Sequence, residues 1–247
     1  MLDKLALRVA RSCFARLSPT GKRELTDSVL RSLEEVTYDR LRDADFRPSG
    51  IIDVGAYHGD WTRLSQHAFG PVPAVMVEAQ PDKAELLAAV TRDHPQVKTV
   101  MSPLSGTAGE EVTFHVMGTG SSLMPERSNA ARSQIKLVTR TLDDVVAEHL
   151  PGLDNLFLKI DVQGAELKVL AGGLETLKKC EVVQLECAIL PYNEGAPLMP
   201  EVVAFMQSHG LLPFELSGVS RPAGTLVQVD LLFAREGSPL RPSHFTF

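Results

Sequence analysis

The stretch Ile51-Ile52-Asp53-Val54-Gly55-Ala56-Tyr57-His58-Gly59-Asp60-Trp61 constrains this chain more than any other. Two β-branched apolar residues run into an acid, a turn with glycines at 55 and 59 follows, and the next residues can open a helix. A buried parallel strand that ends at a ligand-binding turn is written this way. Gly55 permits a tight backbone turn, and Gly59 permits a helix to pack close against its strand. Asp53 falls at the strand's carboxyl end, where open α/β sheets place their ligands. The spacing Asp-x-Gly-x-x-x-Gly departs from the dinucleotide fingerprint Gly-x-Gly-x-x-Gly, and Tyr57 inside the turn would crowd a pyrophosphate.

From Arg47 onward apolar strands alternate with helical patterns, the rhythm of a mostly parallel sheet with helices on both faces. The expected order is a strand into Asp53, a helix over 60–68, a strand over 72–78 and a helix opened by Pro81. A strand over 97–101 and a half-exposed strand over 111–117 follow. Residues 118–133 read as a polar loop, with a further strand over 135–139. A segment this long without a crossover helix is usually functional. Thr141 precedes a short helix whose first turn holds Asp143 and Asp144, which suits an N-terminus. Strands over 155–160 and 181–187 flank a helix over 163–177; a helix over 201–209 and an antiparallel pair over 211–216 and 226–234 close the sheet. Residues 1–46 read differently, as a helical cap beside a 47–247 domain. Leu2, Leu5, Ala6, Val9, Cys13, Phe14 and Leu17 form an apolar stripe, and a second helix over 22–43 is expected to bury Leu25, Val29, Leu33, Val36 and Leu41. This segment suits a cover for a pocket, a packing layer on the sheet or a homodimer contact; its basic amphipathic start also fits an anionic membrane.

Composition narrows the function classes. A net charge of −6 offers no basic footprint for nucleic acid, and Asn-Pro-Pro-Tyr-type base-flipping signatures are missing. Cys13, Cys180 and Cys187 are odd in number and lack C-x-x-C spacing, so reduced thiols are expected rather than a disulfide framework or zinc site. The longest apolar runs are too short for a transmembrane segment, and Arg8 and Arg11 interrupt any signal-peptide core, so the expected location is cytoplasmic.

Three acids end successive strands: Asp53, Glu78 and Asp161. Acids so placed share one crevice, and Glu78 follows Gly59 at about the distance at which an acid meets ribose hydroxyls. Acids at Asp53 and Asp161 suit an ammonium-bearing sulfonium better than a pyrophosphate, which favours S-adenosylmethionine over NAD. The run Leu158-Lys159-Ile160-Asp161-Val162-Gln163-Gly164-Ala165-Glu166-Leu167, continuing through Leu170-Ala171-Gly172-Gly173, resembles the signature of the FkbM family of S-adenosylmethionine-dependent methyltransferases. Asp53-Val54-Gly55-Ala56 with Gly59, Glu78-Ala79-Gln80-Pro81, Gly118–Leu123 and Arg140-Thr141-Leu142-Asp143-Asp144 are similar to the same family, as is Val229-Asp230-Leu231-Leu232-Phe233. The resemblance runs in order over about residues 50–235. It implies a Rossmann-like class I fold whose seven-stranded, mostly parallel sheet ends on an antiparallel strand. It also implies a cofactor site at Asp53, Gly55, Ala56, Tyr57, Gly59, Glu78, Ala79, Ser102 and Asp161, and O-methylation of a hydroxyl on a sugar, glycan or secondary metabolite. Ser121, Ser122 and Glu186 are the expected acceptor contacts. Asp161 is the first expected general base, His58 the second and His115 the third. Asp161 and Glu186 are also the expected ligands of an Mg²⁺ that would orient the acceptor. Lys159 and Glu166 are expected to pair or to cap the following helix. The alternative function is a non-catalytic S-adenosylmethionine-binding or assembly protein on the same fold.

Overall fold

The computed structural model describes residues 2–30, 32–125, 127 and 131–241. The Leu2 side chain of the expected stripe, and residues 126 and 128–130 of the expected loop, lie outside the described set. Three helices come first: α1 (Leu2–Arg16), α2 (Pro19–Leu30) and α3 (Leu33–Asp43). Then follow β1 (Gly50–Val54), α4 (Asp60–Phe69), β2 (Ala74–Glu78), α5 (Ala84–Asp93) and β3 (Val97–Met101). Strands β4 (Glu111–Val116) and β5 (Ser133–Val138) precede α6 (Leu142–His149), β6 (Leu156–Ile160), α7 (Glu166–Ala171) and α8 (Leu174–Lys179). The chain continues through β7 (Cys180–Ala188), α9 (Met199–Ser208), β8 (Leu211–Ser220) and β9 (Gln228–Arg235).

The main sheet has the order β3-β2-β1-β6-β7-β9-β8. Strands β1, β2, β3, β6 and β7 are parallel, while β9 runs antiparallel to both β7 and β8. Every residue of β1 and β2 is buried, because helices cover both faces. Ile52, Val54, Leu158 and Val183 face one core layer, whereas Ile51, Met76, Phe157 and Val182 face the other. Each such side chain contributes about 1.5–3 kcal/mol on burial, so these strands hold the fold's centre firmly. The order reverses between β1 and β6, which puts the topological switch point at the carboxyl ends of those two strands.

Several expectations change. Strands β4 and β5 leave the main sheet and pair antiparallel with each other. The helix expected over 22–43 is two, α2 and α3, and of its five expected core residues only Leu41 is buried. The helix over 163–177 is also two, broken at Gly172-Gly173. There, a Cβ on Gly172 would sit 2.3 Å from the Ser105 carbonyl, and one on Gly173 2.5 Å from Leu142. Of the first 46 residues, α3 and its exit belong to the core. Tyr38, Leu41 and Phe46 pack with Trp61 and Phe157, and cutting at Arg47 would remove part of that layer. No helix among the described residues is long and apolar enough to cross a membrane.

Candidate active site

The β1 turn carries Gly55 and Gly59 at φ 83° and 77°, a region that only glycine enters readily. A Cβ on Gly55 would lie 1.8 Å from the Asp161 carbonyl, so the two motif turns touch backbone to backbone. A Cβ on Gly59 would fall 2.6 Å from Val90 on α5, which is why α4 starts close against its neighbours. Tyr57 also sits at positive φ, 49°. Beside these turns lies a cavity of ≈ 220 Å³ lined by Gly55, Ala56, Tyr57, Glu78, Ala79, Ser102, Ser121 and Asp161, among others.

Glu78, 4% exposed, closes one end. Its Oε2 accepts the Tyr57 backbone N–H at 2.7 Å, and its Oε1 accepts that of Gln80 at 2.8 Å. One carboxylate therefore joins both turns. Burial raises its pKa, and those backbone hydrogen bonds oppose the rise. Ser102 donates its hydroxyl to the Val138 and Pro103 carbonyls. Ser121 donates to Gly118 O and accepts from Met117 N, fixing the loop on the opposite wall.

Asp53 is placed differently from expectation. It is 0% exposed and stands behind the cavity, not on its wall. Its Oδ2 accepts from the Thr62 hydroxyl at 2.7 Å, and its Oδ1 lies 3.7 Å from Lys159 Nζ. The cause is strand geometry: Asp53 pairs in register with Lys159, one residue short of the strand end, and its side chain is directed onto the α4 face. Lys159 thus pairs with Asp53 and, at 3.4 Å, with Asp161 rather than with Glu166. Glu166 does cap its own turn, accepting the Val162 and Gly164 backbone N–H groups.

Asp161 lines the first cavity and also a second one, of ≈ 260 Å³. The second is bounded by Glu34 of α3, Trp61, Lys159, Gln184, Glu186 and Asp230. Gln163, at φ 54°, donates its amide to Asp161 Oδ1 at 3.0 Å and to Glu186 Oε2 at 2.8 Å. Glu186 Oε2 also accepts from Gln228, and Oε1 from the Tyr192 hydroxyl. The expected Mg²⁺ pair is therefore bridged by an amide, and its inner oxygens face N–H groups. No group of three or more His, Cys, Asp or Glu side chains suited to a metal occurs among the described residues. This donor set does not fit a metal ion.

The remaining expected residues separate. Ser122 is 1% exposed and lies behind the wall, its hydroxyl donating to the Val162 and Gln163 carbonyls. With Asn193, which also donates to the Gln163 carbonyl, it clamps the strained Gln163-Gly164 turn. His58 reaches the cavity but is exposed, stacked on Tyr57 at 3.8 Å. His115 opens onto a different depression, beside Thr113 and Lys168. The sequence reading did not single out Glu34, Tyr38, Trp61, Gln184 and Asp230. Four of them form one connected set, with Asp230 beside them on the cavity wall: Tyr38 donates to Gln184 at 2.6 Å and accepts from the Trp61 indole, while Gln184 donates to Glu34 at 2.7 Å.

Burial pushes Glu166 and Asp230 up to about 7, and raises Glu186, chiefly by burial and then by Asp161. Acids with raised folded-state values bind more protons folded than unfolded between about pH 4 and pH 7. Stability should therefore fall as pH rises through that window. Urea midpoints at pH 5.5 and pH 8 test this: the lower pH should give the higher midpoint, and equal midpoints would contradict the burial argument.

The reversed strand order, the antiparallel β9 inside the far edge and the two abutting turns at the switch point define the Rossmann-like class I methyltransferase fold. A family model described as the methyltransferase FkbM domain matches residues 53–212, and the chain belongs to that family. No protein of curated function matches the sequence. Among solved structures, the methyltransferase FkbM from Methylobacillus flagellatus KT aligns at 16% identity and a TM-score of 0.50 over 75% of this chain. The alignment spans 43% of the Methylobacillus protein's length. Aeropyrum pernix fibrillarin, solved with S-adenosyl-L-methionine, aligns at 12% identity and a TM-score of 0.47, covering 76% of this chain and 67% of that one. A Burkholderia thailandensis 1,6-didemethyltoxoflavin-N1-methyltransferase, solved with S-adenosylhomocysteine, aligns at 13% identity and 0.44, covering 94% and 90%.

Proposed function

We propose that the chain is an S-adenosylmethionine-dependent O-methyltransferase acting on a hydroxyl of a sugar, glycan or other hydroxylated metabolite. The observation that supports this reading most is the position of Asp161, whose carboxylate is on the wall of both cavities. The glycine-turn cavity fits the cofactor. Glu78 offers a carboxylate on the cavity wall to the ribose hydroxyls, Ser102 and Ala79 suit the adenine end, and Asp161 suits a cationic neighbour. Bound there, the cofactor would supply an electrophilic methyl group to the acceptor oxygen. Asp161 takes the hydroxyl proton, and Gln163 holds that carboxylate in place through its Oδ1. The second cavity, rich in carboxylate and amide acceptors beside the Trp61 ring, suits a ligand that offers many hydroxyl donors. In this reading residues 1–46 act as a cap through α3 alone, whose Glu34 completes the acceptor wall.

Titration calorimetry with S-adenosylmethionine and S-adenosylhomocysteine tests the cofactor assignment. Glu78→Ala should weaken binding by about 1–3 kcal/mol, through lost hydrogen bonds to a charged acceptor and a loosened Tyr57 turn. Wild-type affinity in that variant would remove Glu78 from the ribose site. Absence of binding in the parent protein would sink the whole reading.

A further inference from the structure

The first two helices of the chain bury almost nothing. Every side chain from Lys4 to Arg16 is exposed, and α2 contributes no buried residue. Leu5, Val9 and Val29 are 62%, 55% and 64% exposed, and Phe14, Leu17 and Leu25 also stand in solvent. Contiguous apolar exposure of this kind marks a surface that meets another apolar phase. It cannot be the underside of a lid, because these helices do not place any of it against the sheet.

Charge indicates what that phase is. Residues 1–23 hold six bases and one acid, in a chain whose net charge is −6. At the helical period, Lys4, Arg8 and Arg11 share one face of α1, opposite an arc made by Leu5, Val9, Cys13 and Leu17, with Arg16 on the arc's side in the last turn. Phe14 turns toward Leu25 and Val29 of α2, which extends the arc onto the second helix. None of the six bases forms an ion pair among the described residues.

We infer that α1, with the adjoining edge of α2, docks on an anionic lipid surface. The apolar arc enters the acyl boundary while the bases lie among the headgroups, the arrangement of an interfacial amphipathic helix. A second copy of the chain would cover the apolar arc but would bring together two α1 helices in which the bases far outnumber the acids. The rest of the chain, which carries all but one of the acids, is repelled by an anionic surface. Contact is thereby confined to this element, and the cavities remain in water.

Co-sedimentation of the full chain with vesicles tests the inference. It should pellet with mixed phosphatidylcholine–phosphatidylserine vesicles, stay in solution with phosphatidylcholine alone, and be released by salt. Replacing Lys4, Arg8 and Arg11 together by Gln should weaken binding on the order of 100-fold, since each base near an anionic surface contributes separately. Leu5→Asp with Val9→Asp should abolish it. Both sets lie on exposed turns, so thermal melting followed by circular dichroism should stay unchanged and show that the variants are folded. Failure to bind mixed vesicles, or equal binding to neutral ones, would overturn the proposal. So would a dimer in solution that Leu5→Asp with Val9→Asp converts to a monomer without any vesicle binding, which would identify the occupant as a second copy.

Discussion

Asp161→Asn should leave the fold intact and S-adenosylmethionine affinity within a few-fold of the parent, while kcat falls by about 10²-fold or more. Asparagine keeps an oxygen for the Gln163 amide, which the aspartate accepts at 3.0 Å, and Lys159 keeps its second partner Asp53. What disappears is the ability to take a proton at the boundary of the two cavities. That loss falls on the transition state more than on cofactor binding. EDTA should have no effect, because the Asp161–Glu186 space is filled by an amide donor. His58→Gln provides the contrast, since the imidazole is exposed and stacks on Tyr57 away from the second cavity. A near-normal rate for Asp161→Asn together with a large loss for His58→Gln would transfer the role of base to the histidine. Near-normal rates in both would leave the transfer without a protein base.

The parts of this molecule that could be read from its residues are those in which local chemistry and global fold agree. β1 and β6 are short apolar runs ending in an acid and a glycine turn, and period and punctuation both mark them. The place of Glu78 on the cavity wall was legible because the ends of parallel strands open onto the crevice. Burial on α1 and α2 was not legible, because helical periodicity reveals an apolar side without saying what covers it. Asp53 and Ser122 were assigned to the ligand although both lie behind the wall. In each case the deciding quantity is side-chain direction, set by one residue of register for Asp53 and by the left-handed Gln163 backbone for Ser122. The second cavity was invisible for a topological reason. Glu34, Lys159, Gln184 and Asp230 meet only because β6, β7 and β9 are neighbours and α3 crosses them, which no linear spacing encodes.

Lys159→Met should destabilise the protein by about 3–5 kcal/mol at pH 8, the cost of leaving a buried charge uncompensated. Among the described residues Lys159 is the one base that bounds the second cavity, and its ammonium lies over the Trp61 ring as well as beside Asp53 and Asp161. Burial acts to lower its pKa, but Asp161 and Asp53 more than reverse this, so the lysine stays charged throughout the accessible range. Asp53 already has a raised pKa, because burial raises it more than the neighbouring Lys159 ammonium lowers it. Without the lysine that value rises further, and the folded variant takes up a proton that the unfolded chain releases at ordinary carboxylate pH. The sign follows: destabilisation should be greatest at pH 8 and should shrink as pH falls toward 5. Asp53→Asn in the Lys159→Met background removes the unpaired charge yet keeps an oxygen for Thr62, so the double variant should be more stable than the single one. Urea unfolding of both variants at the two pH values measures all of this. A single variant within about 1 kcal/mol of the parent at pH 8, where surface substitutions normally fall, would mean that Asp53 and Asp161 do not depend on Lys159 for their place at the site.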